Sequence, residues 1–251
     1  MTPEERERYA RHILLKEVGG QGQQKLVAAK VLVVGAGGLG SPILSYLAAA
    51  GVGTLGVSDD DLVALSNLQR QTLFRTEDVG RPKTQAAQDA ISRLNPHVKI
   101  EPQPRITETN ACEIVSAYDL IVEGVDNFAA RYALNTACIA EKKTLVSAAV
   151  GRFEGQLATF KSFAAPGVLP CYRCLVPEEP PRETQINCAE EGVMGAVTGV
   201  MGTLAAMEAI KELLQIGESL AGRLMLYDGL GGTFRSVRLP ADPDCPDCGA
   251  P

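Results

Sequence analysis

The apolar positions of the chain change rhythm as it proceeds. From Val31 an apolar run, VLVV (31–34), breaks into GAGGLG. SPILSYLAAAG (41–51) follows with apolar residues at helical spacing, and then TLGVSDDD (54–61), a strand that ends in acids. Strand, glycine turn, helix and strand make a βαβ unit. Pro42 falls in the first turn of its helix, where a missing N–H costs little. The alternation then repeats. KTQAAQDAISRLN (83–95) predicts an amphipathic helix, VKIEPQP (98–104) a strand and NACEIVSAY (110–118) a helix. DLIVEGVD (119–126) reads as a buried strand, NFAARYALNTACIAEK (127–142) as a helix and TLVSAAV (144–150) as a strand. Strands alternating with helices imply an α/β, Rossmann-like doubly wound, mostly parallel sheet whose ligands bind beyond the carboxyl ends of the strands.

The flanks read differently. Residues 3–17 place Tyr9, Ile13 and Leu14 at helical spacing, and GGQGQQ (19–24) is expected to break that helix as a flexible turn. After residue 150, EGQLATFKSF (154–163), RLMLYDGL (223–230) and GTFRSVRLP (232–240) read as strands with short links, an antiparallel C-terminal extension of the sheet. Between them lie a polar, Pro/Glu-rich loop (176–191) and the uncharged stretch VMGAVTGVMGTLAAM (193–207), closed by Glu208 and Lys211. That stretch is short for a bilayer. Its Gly195 and Gly199 nonetheless form a small-xxx-small pair, so a membrane helix stands as the alternative to a buried helix packed tightly on a sheet or partner subunit.

Composition narrows the class. The 251 residues are 45% hydrophobic and 22% charged, ordinary for a globular protein, and the expectation is a single domain. A net charge of -6 gives no global reason to bind nucleic acid or an anionic membrane. The N-terminus carries acids where a signal peptide would begin with basic residues, so a cytoplasmic protein is expected.

Gly35, Gly37 and Gly40 satisfy G-x-G-x-x-G directly after a strand, and Gly38 adds a fourth position without a side chain. Such a turn lets backbone approach phosphate and points helix N-terminal amides at an anion. Asp59, about twenty residues on at the end of the second strand, suits ribose hydroxyls. The motif specifies a nucleotide without saying which, although G-x-x-x-x-G-K-[ST] occurs nowhere. Arg70 and Lys83 are expected on the same sheet edge as the glycine loop, where two cations suit a triphosphate better than a dinucleotide.

At this point a resemblance becomes specific. DDDLVALSNLQRQ (59–71), GRPK (80–83), EGVDN (123–127), RYARHILL (8–15) and two CxxC pairs resemble, in order, the MoeB/ThiF family, relatives of the ubiquitin-activating enzymes. The resemblance implies an adenylyltransferase. Its substrate would be the C-terminal Gly-Gly carboxylate of a small ubiquitin-like sulfur carrier, and pyrophosphate would be released. It places Gly38 by the phosphates, Asp59 at ribose, and Asp61, Ser66, Asn67, Leu68, Gln69 and Arg70 around ATP. Lys83 would hold phosphate, Asp126 magnesium, and Asn127 would sit beside the nucleotide. Arg11 would reach into the partner subunit's site, which makes the active unit a homodimer. His12 departs from the glutamine that the family often has after this arginine. The implied organisation is an N-terminal arm (1–30), a nucleotide-binding half (31–150) and a carrier-binding and zinc half (151–251). With the chain ending just after the second cysteine pair, a separate protein is expected to donate the sulfur.

The chemistry is coherent on its own terms. A carboxylate attacking an α-phosphate needs positive charge where negative charge builds up, and Arg11, Arg70, Lys83 and magnesium on Asp126 would supply it. No separate base is required, because a carboxylate is already ionised at neutral pH. A nicotinamide-dependent oxidoreductase is the alternative that the glycine loop and Asp59 permit, and a zinc-stapled carrier-binding protein without chemistry is a third.

The cysteines sort by spacing. Cys171 with Cys174 and Cys245 with Cys248 form two CxxC knuckles, four thiolates suited to a closed, structural zinc site that staples the C-terminal segment to the middle of the chain. A redox pair is the alternative. Cys112 and Cys138, in apolar helical patterns, are expected to be inert core residues. Cys188, in INCAEEG, is either a covalent handler of the carrier or its sulfur, as the family sometimes has in this region, or a thiol packed at a helix start.

Overall fold

The structure is a computed structural model in which residues 1–181 and 191–249 are described. Its centre is an eight-stranded sheet in the order β3-β2-β1-β4-β5-β6-β7-β8. β1 (Lys30–Val34), β2 (Thr54–Ser58), β3 (Lys99–Gln103), β4 (Leu120–Glu123) and β5 (Thr144–Gly151) run parallel. β6 (Glu154–Phe160), β7 (Arg223–Asp228) and β8 (Thr233–Arg238) continue it antiparallel. The expected doubly wound sheet with an antiparallel extension is therefore present.

Helices cover both faces, which is why the parallel strands read as continuous apolar runs. In β1, Val31 and Val33 join one core with α4 (Gly40–Ala50), α5 (Lys83–Leu94) and α9 (Gly195–Leu214). Leu32 and Val34 join the other, with α6 (Ala111–Ser116) and α7 (Phe128–Ala140). The period-two alternation persists, but both sides are apolar.

Three features differ from the sequence expectation. The N-terminal segment is not one helix but α1 (Pro3–Arg8), capped by Thr2 with Glu5 in a capping box, and α2 (Ala10–Ile13). GGQGQQ does not end helical structure; it opens α3 (Gly19–Ala28). Tertiary contacts override propensity there. Gln23 is buried and donates to the Ala50 carbonyl at 2.8 Å, and Gly22 lies where a Cβ would meet Val18 and Leu214. Cys112 is exposed on α6 rather than in the core, whereas Cys138 is buried, with its thiol pushed far up by burial.

The apolar stretch expected as a long helix is α9, which packs on α4 and β5. No described helix is long and apolar enough to cross a membrane. Small residues do allow close approach, though not at the expected pair. A Cβ on Gly195 would fall 2.2 Å from the Gln69 carbonyl and one on Gly202 2.6 Å from that of Leu39, while Gly199 faces open space.

Candidate functional site

The carboxyl ends of β1, β2 and β4 open onto a cavity of about 680 Å³, large enough for a nucleotide with part of a second substrate. One end is built by the glycine turn. Gly35 adopts φ +90°, which a side chain would disfavour, and Gly40 lies so close beneath it that a Cβ would meet the Gly35 carbonyl at 1.9 Å. Gly35, Gly37 and Gly38 line the cavity; Gly40 instead seats α4 under the turn. At Gly38 a Cβ would crowd Thr198 of α9 at 3.0 Å and Arg70 at 3.3 Å, so the missing side chain lets both fold over the loop.

Asp59 ties the two halves of the βαβ unit together. Its Oδ2 accepts from the Ala36 amide at 2.7 Å and its Oδ1 from the Asp61 amide at 2.9 Å. Burial pushes the carboxyl above the ordinary aspartate value of 3.8, against the opposing pull of Lys83 and those two amides. Lys83 begins α5 and is 4% exposed, its ammonium 2.7 Å from Asp61 and 3.7 Å from Asp59. A buried cation with an acidic partner at the cavity wall can exchange that partner for a phosphate oxygen.

Arg70 and Asp126 line the same cavity. Arg70 donates to the Ser66 carbonyl at 3.1 Å, which braces the guanidinium at the rim. The Asp126 carboxylate is exposed and has no hydrogen bond or ion pair among the described residues, so it is free to take a divalent cation. Asn127 lines the cavity too and caps α7 by accepting from the Ala130 amide at 2.9 Å.

Of the residues expected at the nucleotide, the structure brings Gly35, Gly37, Gly38, Asp59, Asp61, Asn67, Arg70, Lys83, Asp126 and Asn127 to this one cavity. Ser66, Leu68 and Gln69 do not line it: Leu68 packs on the core, the Gln69 carbonyl lies against Gly195, and Ser66 is exposed. Arg11 is exposed on α2, away from the cavity, and His12 next to it contacts the buried Gln23 at 3.3 Å.

Sequence reasoning missed a buried charge network. Glu123, fully buried, accepts from Arg131 Nη1 at 2.8 Å and from Ser147 Oγ, and its other oxygen accepts from the Val125 amide at 3.1 Å. Arg131 Nη2 donates to the carbonyls of Val125 at 2.7 Å and Ala148 at 3.0 Å. Together they tie the end of β4 and the middle of β5 to the first turns of α7 and hold the backbone next to Asp126. Burial raises the Glu123 carboxyl, with Arg131 pulling it down. A glutamate inside the apolar run DLIVEGV was the available signal. Arg105, paired with Asp60 at 3.1 Å, adds a further cation to the cavity lining, from the loop after β3.

The cavity continues over β5 and β6, past Ala149 and Gly151, to Tyr172, Leu175 and Val176. That wall belongs to the first cysteine knuckle. Cys171 precedes and Cys174 lies within the short α8 (Tyr172–Leu175). The sulfurs of Cys171, Cys174, Cys245 and Cys248 all lie within 4.8 Å of one another. Pairs stand at 3.9, 3.6 and 3.4 Å, close to the edge of about 3.8 Å that a tetrahedron with zinc–sulfur bonds of about 2.3 Å has. The Asp242 amide reaches Cys174 Sγ at 3.4 Å, and Asp247, between the second pair, is bound by Asn135 and Arg173. The donor set fits structural zinc and leaves no open position. Cys188 lies outside the described residues.

Comparison with known proteins shows the family. The model of the ThiF family matches residues 9–247. The sulfur carrier protein adenylyltransferase of Thermus thermophilus is 50% identical over 99% of this chain and 92% of its own length. The SAMP-activating enzyme E1 of Haloferax volcanii is 47% identical over 97% and 88%. The adenylyltransferase and sulfurtransferase MOCS3 of Mus musculus is 47% identical over 96% of this chain, but only 52% of its own length is spanned. Among solved structures, E. coli MccB crystallised with MccA superposes with a TM-score of 0.82 at 23% identity, covering 100% of this chain and 76% of that one, a likeness of fold.

Proposed function

Since the chain belongs to the ThiF family, we infer that it is an adenylyltransferase that uses ATP to activate the C-terminal Gly-Gly carboxylate of a small ubiquitin-like sulfur carrier, with release of pyrophosphate. The observation that carries this reading is the shared cavity. The glycine turn, Asp59, Lys83, Arg70 and Asp126 meet at one end, and a channel over β5 and β6 leads away from them. Two cations and an unpaired carboxylate suit a magnesium-bound triphosphate better than the pyrophosphate of a dinucleotide.

In this reading the Gly35–Gly38 backbone cradles phosphate and Asp59 takes the ribose. Lys83 leaves Asp61 for a phosphate oxygen, and Arg70 faces the charge that grows as the carrier carboxylate attacks the α-phosphorus. Asp126 would hold magnesium, which when bound neutralises charge on the polyphosphate. The carrier tail enters along β5 and β6 beneath the knuckle wall, and Cys171, Cys174, Cys245 and Cys248 would hold zinc to fix that wall. The arm (1–30), nucleotide half (31–150) and carrier half (151–251) act as one domain in a homodimer, with Arg11 serving the partner's cavity. Cys188 stays a candidate for covalent handling of the carrier.

The test is ATP–pyrophosphate exchange. Exchange is expected only with magnesium and a carrier ending in Gly-Gly. NADH binding with no exchange on any such carrier from the same organism would replace this reading with the oxidoreductase.

A further inference from the structure

Resting on the reading that Arg11 serves a second copy, we propose that Tyr9 and Asn95 form a latch that positions Arg11 for the partner's cavity. Tyr9 is 2% exposed, and its hydroxyl accepts from Asn95 Nδ2 at 2.8 Å; the same amide group donates to the Ala48 carbonyl at 2.7 Å. Asn95 itself is fully buried. The ring fills the space over Gly51, where φ is +83° and a Cβ would meet the ring at 2.5 Å. Around this latch, Arg8 donates to the Leu94 carbonyl at 3.1 Å, and His97 lies 3.3 Å from Glu4.

The placement decides which cavity Arg11 can serve. Gly51 ends α4 just before β2, and Asn95 ends α5 just before β3, so the latch sits at the amino ends of the parallel strands. On the other side of Arg11, His12 leans on Gln23, which is bonded to Ala50 at that same end. The cavity opens at the carboxyl ends, about 16 Å away across a five-residue strand. Anchored on both sides at the wrong end of its own sheet, Arg11 has no ion pair among the described residues and is exposed. A buried tyrosine held this firmly, two residues before an unpaired arginine, fixes the direction in which that arginine leaves the surface.

Tyr9→Phe keeps the ring over Gly51 and removes only the hydroxyl, so the variant can be compared as a folded dimer. It is expected to lower kcat for exchange by about tenfold or more, with KM for ATP nearly unchanged, because a small displacement of a charged group costs turnover. Mixed dimers separate positioning from a local defect. Co-expressed with Lys83→Ala, whose cavity is dead but whose arm is intact, Tyr9→Phe recovers activity in the mixed dimer. The ceiling for such a mixture is about a quarter of wild type when subunits pair at random. Arg11→Ala with Lys83→Ala is the reference pair. If the reference recovers and Tyr9→Phe does not, the latch acts on its own cavity and the proposal is overturned, as it is if Tyr9→Phe has wild-type kcat. If the reference pair itself fails to recover, the underlying assignment of Arg11 to the partner's cavity fails, and the latch with it.

Discussion

Glu123 and Arg131 show how much a single buried charge constrains this site. Both oxygens of the glutamate and both terminal nitrogens of the guanidinium have partners, so removing either charge strands the other in a medium that cannot solvate it. Glu123→Gln and Arg131→Met should each destabilise by about 2–4 kcal/mol in urea unfolding, and the double variant by less than their sum. Asp59 yields a prediction in pH. Because burial raises its folded pKa above 3.8, the neutral form is favoured in the fold. Its stabilising contribution is complete below 3.8 and lost as pH rises through the folded value. Binding has the opposite sign: protonation removes the acceptor for ribose and the partner of Lys83. KM for ATP should therefore climb on acidification, starting above the ordinary aspartate range, and Asp59→Asn should flatten that climb.

Elements were legible in the sequence where period and punctuation agreed. The strands from 31 to 150 and the helices between them follow apolar runs and glycine turns, and the cysteine spacing brought two distant knuckles together correctly. α3 was not legible, because Gln23 bonds to α4 and Gly22 packs near Leu214 of α9, contacts that no local pattern encodes. Nor could the small residues of α9 be ranked without knowing what lies against them. Gly195→Ala and Gly202→Ala should each cost about 1–3 kcal/mol of thermal stability through overpacking. Gly199→Ala, in open space, should gain about 0.5–1 kcal/mol from helix propensity. The knuckle gives a sharper functional contrast. Its helix carries Tyr172 and Leu175 into the cavity wall, where the Tyr172 ring lies 5.7 Å from the Arg131 guanidinium. Cys245→Ser should weaken carrier binding by roughly tenfold or more while ATP affinity in calorimetry changes much less, since loss of a zinc held there would loosen that wall first.

At the scale of the whole molecule, the parallel half of the sheet collects charge at one edge, and the antiparallel half supplies a surface leading to it. Arg70 and Lys83 were placed at this edge by the glycine loop beside them, because ligands gather at strand carboxyl ends, and Asp126 by the family resemblance. The Glu123 network and Arg105 were not legible, because their roles depend on which ends the topology brings together. The arm is anchored at the opposite edge from its own cavity, and under the proposed function a second copy would give it a site to serve. Most directly at issue is which phosphorus meets the carrier carboxylate. Incubation with magnesium, a Gly-Gly carrier and ATP labelled at the α-phosphorus should place label on the carrier, sensitive to hydroxylamine, while γ-label leaves as pyrophosphate. Label on the carrier from the γ-phosphorus, or none from either, would contradict adenylation.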